Sequence, residues 1–125
     1  MKSVAGDPPP ARHLDTSALL TLRDDEPGAE DVARLLRAAD RSGNRCRICF
    51  ISLMEILSRV WQDEGQAEAW LAYEQCLSLP LMIVHEDALL LEKAAEVKAT
   101  HHLSIADAWI AAAALLTEAS GIPSF

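Results

Sequence analysis

Three short strand-like runs, separated by long stretches of helical periodicity, fix most of what this chain can become. The runs are residues 11–14, 48–52 and 81–84. Residues 48–52 are nearly all apolar, as suits a strand buried on both faces. After the first run, Asp15-Thr16-Ser17 opens a helix that Thr16 or Ser17 is expected to cap. Residues 24–28 read as a loop. Val32, Leu35, Leu36 and Ala39 fall at helical spacing within residues 30–39, and Ser42-Gly43-Asn44 closes that helix. Ser52 is expected to open the next helix, which carries Leu53, Ile56, Leu57, Val60 and Trp61 and ends near Gly65. Further helices are expected over residues 66–79, 87–100 and 104–118, with His101-His102 in a loop. Short strands alternating with helices predict an α/β chain, a parallel sheet covered by helices on both faces. Ligands bind such folds beyond the carboxyl ends of the strands.

The chain's 125 residues make one domain, and 50% hydrophobic content supports a real core. Residues 1–11, with Pro8-Pro9-Pro10, read as a disordered lead ahead of a single domain at 12–125. That lead has no hydrophobic segment of a signal peptide, and no apolar run reaches the length of a membrane span. A cytoplasmic protein without membrane contact is expected. The net charge of −8 argues against a broad electrostatic grip on nucleic acid. It leaves room for a nuclease whose metal ions neutralise the site, and it suits a basic protein partner. Arg34, Arg37, Arg41, Arg45 and Arg47 crowd one stretch, and a solvated helix end explains them better than an RNA or partner patch. Cys46 and Cys49 have CxxC spacing, but strand positions three apart face opposite sides. These two and Cys76 read as buried apolar residues, not as a zinc or redox site.

Three acids stand where a strand-like run or a loop gives way to a helix: Asp15, Glu55 and Asp107. Such junctions can converge on one crevice, and hard divalent cations take oxygen ligands. A magnesium- or manganese-dependent phosphodiesterase follows. The plain alternative is helix capping. Ser52-Leu53-Met54-Glu55 has the form of a capping box, and Ser104-Ile105-Ala106-Asp107 nearly does. Asp15 follows a strand-like segment, so its carboxylate is expected close to the core, where a cation would relieve the cost of burial.

The runs Leu14-Asp15-Thr16-Ser17-Ala18-Leu19-Leu20, Ile51-Ser52-Leu53-Met54-Glu55-Ile56 and Leu103-Ser104-Ile105-Ala106-Asp107-Ala108-Trp109 resemble the PIN domain, and more narrowly the small VapC-type toxins of toxin–antitoxin pairs. The resemblance covers about residues 12–118. It implies a three-layer α/β/α sandwich around a central parallel sheet. It also implies a metal-dependent endoribonuclease, acting on single-stranded or loop RNA with Mg2+ or Mn2+. Asp15, Glu55 and Asp107 match acidic metal-site positions, and Thr16 or Ser17 matches a hydroxyl position beside the first acid. A homodimer and a cognate antitoxin are the implied partners. One departure stands out. The family continues past its last helix with a strand and a fourth acid, whereas here Ile122-Pro123-Ser124-Phe125 is a shortened remnant. Glu118 is the nearest substitute acid.

Three rivals remain. The first is a catalytically impaired PIN-like binding or dimerisation module lacking the fourth acid. The second is a phosphatase with Asp15 as nucleophile, weakened because no second Asp stands two residues on. The third is a capping pattern in an unrelated α/β domain.

Overall fold

The computed structural model describes residues 12–121. The proposed lead at 1–11 and the segment 122–125 lie outside the described residues. Six helices and two strands follow one another as α1 (Thr16–Arg23), α2 (Ala29–Ser42), β1 (Cys46–Cys49), α3 (Phe50–Glu64), α4 (Gln66–Leu77), β2 (Leu81–Val84), α5 (Ala88–Thr100) and α6 (Ile105–Gly121) among those residues.

The sheet is parallel. Cys46 pairs with Leu81 and Cys49 with Val84, so β1 and β2 run side by side in register. The expected first strand is reduced to a bridge between His13 and Arg47. Leu14 N–H donates to Arg47 O and Arg47 N–H to Arg12 O, both at 2.7 Å. β1 is therefore the middle line of a narrow sheet.

Helices cover both faces, and β1 shows this by its alternation. Cys46 and Ile48 point into one apolar cluster, with Leu14, Leu19, Leu36, Ile56, Val60, Ala69 and Ala72. Cys49 points into the other, with Leu90, Ala94, Ala112 and Ala113. Across the register, Leu81 and Ile83 join the first cluster and Val84 the second. The two cysteines of the CxxC thus sit fully buried on opposite faces, and all three thiols are free. Burial holds each thiol above its ordinary pKa, which suits packing and not thiolate chemistry.

Several boundaries differ from the sequence reading. The middle strand lies two residues earlier than expected, and α3 begins at Phe50 with Cys49 as its N-cap. Apolar residues such as Phe50 and Ile51 fit a buried strand or a first helical turn equally well by periodicity. Packing decides: the Phe50 ring meets Trp109 of α6 edge-on at 5.3 Å. Asp15, not Thr16 or Ser17, caps α1, since its side chain accepts from Ala18 N–H at 3.1 Å. Trp61, assigned to the apolar face of α3, is 46% exposed. The arginine-rich stretch divides: Arg34 pairs with Asp31 and Arg45 with Asp40 on the exposed surface, whereas Arg47 is a half-buried residue of β1 and no part of a solvated helix end.

Gly65 alone joins α3 to α4. Its φ of 99° and ψ of 170° form a conformation essentially reserved for glycine. This single residue folds α4 back against α3, whose outer face lines the cleft described next.

Candidate active site

A cleft of about 590 Å³ opens where α1, α3 and α6 meet. Asp15, Thr16, Ser17, Glu55 and Asp107 all line it. The three acids come from positions far apart in the chain, so the fold gathers them on one concave surface.

Each acid has a distinct local setting. Asp15 is exposed in the cleft wall, and Leu14 takes the buried place expected for it. The correction has a simple cause: as N-cap, Asp15 turns its carboxylate back to the free N–H groups of α1. Its Oδ1 also accepts from Ser17 Oγ at 2.8 Å. Glu55 is half-buried and is the sixth residue of α3, beyond reach of a capping box. It accepts instead from Thr16 Oγ1, across from α1. Thr16 Oγ1 also lies 2.9 Å from Ser52 Oγ, whose residue is 0% exposed. A hydroxyl carries one proton, and an ionised carboxylate only accepts. Thr16 therefore donates to Glu55 while Ser52 donates to Thr16. Asp107 sits exposed in the first turn of α6, where its N–H donates to Ser104 Oγ at 3.1 Å. Half of that capping box is present, and Asp107 lines the cleft.

The wall holds more charge than the motifs suggested. Asp24, Glu26, Asp63 and Glu64 add their carboxylates, and Arg23 and Arg59 are its cations. Arg23 binds Glu64 through Nη1 at 3.0 Å and Nη2 at 3.2 Å, and Asp24 at 2.9 Å. The bond to Arg23 holds the Glu64 carboxyl below its ordinary range, and that same bond raises the guanidinium. Asp63 and Arg59 were legible in principle, because Glu55, Arg59 and Asp63 repeat every four residues along one helical stripe. Arg23 with Glu64 was not, since the two are 41 residues apart. His13, two residues before Asp15, is held below its usual pKa by burial, against the pull of the Asp15 charge. Glu118 is exposed on α6 and does not line the cleft.

The donor set is all oxygen: carboxylates and hydroxyls, with no histidine or cysteine in the lining. That chemistry fits a hard divalent cation such as Mg2+ or Mn2+ and disfavours zinc. The side chains as they stand do not close a shell, for no three acidic, histidine or cysteine side chains among the described residues are grouped closely enough to hold one ion. Mutual repulsion between carboxylates favours this spread.

A family model described as the PIN domain matches residues 13–125. Among solved structures, the fold is similar to a chain of DNA-bound VapBC from Salmonella typhimurium, with a TM-score of 0.61 and 16% sequence identity. The match covers 82% of this chain and 77% of that one. No curated protein sequence matches.

Proposed function

This chain belongs to the PIN-domain family, and on that premise we propose that the cleft is the active site of a metal-dependent endoribonuclease that cuts unpaired RNA. One observation carries the reading. Asp15, Glu55 and Asp107, with Thr16 and Ser17, line a single open cleft although they come from three separate helices. Neither capping nor core packing requires that coincidence.

Asp15, Glu55 and Asp107 are the residues that would hold Mg2+ or Mn2+, whose chemistry is to make bound water nucleophilic and to stabilise charge on phosphate. The residues themselves have separable tasks. Asp15 keeps Oδ1 on its own helix N-terminus and on Ser17, which fixes the carboxylate and leaves Oδ2 for a ligand. Thr16 holds one oxygen of Glu55, so the other has a set direction. Ser52 holds Thr16 from beneath, within the core. No side-chain nucleophile is needed, which disfavours the phosphatase reading. Splayed single-stranded bases suit an open cleft better than a duplex does.

We also propose that the protein is the toxin of a toxin–antitoxin pair, active as a homodimer. The likeness to a chain of a VapBC complex supports this, and the net charge of −8 suits a basic partner segment. Trp61 and Trp70, each 46% exposed, offer apolar surface for such contacts. A cytoplasmic setting accords with three free thiols. Among the described residues no helix is long and apolar enough to cross a membrane.

The test is incubation of a labelled unstructured RNA with Mn2+ or Mg2+, with and without EDTA. Cleavage that EDTA abolishes is expected; cleavage unaffected by EDTA would overturn the metal assignment. The spread of the acids favours one second reading, a PIN-like binding module without cleavage. Calorimetric titration with Mn2+ separates the two. The nuclease binds the ion and loses that binding in Asp107→Asn, whereas the silent module shows no saturable site.

A further inference from the structure

One cation in the cleft has no task in the account so far. Arg59 lies on α3, one turn after Glu55 and one turn before Asp63, and all three line the cleft. Spacing of four residues is the spacing at which helical ion pairs form. Yet among the described residues the Arg59 guanidinium makes no ion pair within 4.0 Å with either acid. The other cleft arginine is the opposite case. Arg23 spends both Nη atoms on Glu64 and Asp24, tying the end of α1 to the end of α3. Its charge is matched inside the protein, whereas Arg59 is an exposed cation in the cleft lining.

We propose that Arg59 is the phosphate-binding residue of the cleft, its guanidinium donating to the non-bridging oxygens of a phosphodiester in the RNA strand. This rests on the nuclease reading. Carboxylates dominate the wall, so a polyanion entering it meets repulsion unless some cation receives it. A planar guanidinium pairs bidentately with phosphate and keeps its charge at every working pH. Contact with backbone oxygens positions the strand without reading its bases. Arg59 thus contributes to holding RNA and not to holding metal.

The experiment compares wild type, Arg59→Ala and Arg59→Lys. Binding of a fluorescein-labelled unstructured RNA is read by anisotropy in Ca2+ across a salt series. Cleavage in Mn2+ and calorimetric Mn2+ affinity are measured on the same samples. Arg59 is exposed, and circular dichroism verifies that each variant is folded. Arg59→Ala is expected to weaken RNA binding at least tenfold and to flatten the slope of log Kd against log salt by about 0.7, the share of one phosphate on a single strand. Mn2+ affinity stays at the wild-type value, and Arg59→Lys recovers the salt slope with part of the affinity. An unchanged Kd and slope in Arg59→Ala overturns the assignment, as does wild-type protein that binds no RNA. Failure of the nuclease reading looks different: wild type binds RNA and never cuts it, and the binding comparison still decides Arg59.

Discussion

Thr16→Val keeps the shape of the side chain and removes a hydroxyl that ties α1 to two residues of α3. That hydroxyl donates to Glu55 and accepts from Ser52, so two hydrogen bonds are lost together. Hydrogen bonds to charged groups contribute about 1.5–3 kcal/mol net, and an abandoned buried polar group costs about 1–3 kcal/mol. Glu55 is half-buried against an open cleft, so water recovers most of its loss. Ser52 is 0% exposed and has no such recourse. The expected destabilisation is about 2 kcal/mol, most of it from the stranded serine. Urea unfolding followed by far-UV circular dichroism reads it: with a slope of about 1.5 kcal/mol/M, the midpoint falls by about 1.3 M. The double variant Thr16→Val with Ser52→Ala removes the stranded group and should regain much of that loss, a coupling typical of residues sharing one network. A Thr16→Val midpoint within about 0.3 M of wild type would refute the relay. So would a double variant whose cost is the plain sum of the two single ones.

Other expectations follow from single features. Gly65→Ala should cost about 1–3 kcal/mol by chemical denaturation, from backbone strain alone, since a Cβ there meets nothing within 4 Å. Ile48→Ala empties a fully buried position on the central strand and should cost about 2–5 kcal/mol by the same assay. Burial holds the folded pKa of His13 below the ordinary histidine value of about 6.5, so the unfolded chain takes up the proton first as pH falls. Stability should therefore be intact above that value and decline as pH drops from there toward the lower folded pKa. His13→Asn should flatten this part of the profile in thermal melts, and an identical slope in both proteins would reject the assignment.

The layered architecture was legible because β1, β2 and α5 carry strong local signals. Leu81–Val84 is bounded by Pro80 and by the Asp87 cap, whose side chain accepts from Leu90 N–H at 2.8 Å. The start of α3 was not legible, because Ile48 through Ile51 is equally apolar as strand or helix and only the contact of Phe50 with Trp109 settles it. The choice of Asp15, Glu55 and Asp107 rested on position at element junctions, and the fold does bring all three to one cleft. Their local roles were misjudged where capping was inferred from spacing alone. Ser52 looked like the cap of α3 and is instead a buried donor within its first turn. Asp15 looked core-facing and is an exposed cap. The Arg23–Glu64 link joins residues with no common motif, so only the folded chain reveals it.

The central claim is that the acid-lined cleft cuts RNA through a metal held by Asp15. The most direct measurement compares wild type with Asp15→Asn on a labelled unstructured RNA in Mn2+. Asparagine caps helices nearly as well as aspartate, so α1 keeps its N-cap while the cleft loses one negative ligand. The account predicts EDTA-sensitive cleavage by the wild type and a loss of at least a hundredfold in Asp15→Asn, with unfolding free energies within about 0.5 kcal/mol of each other. Cleavage that survives the substitution at the wild-type rate would contradict it.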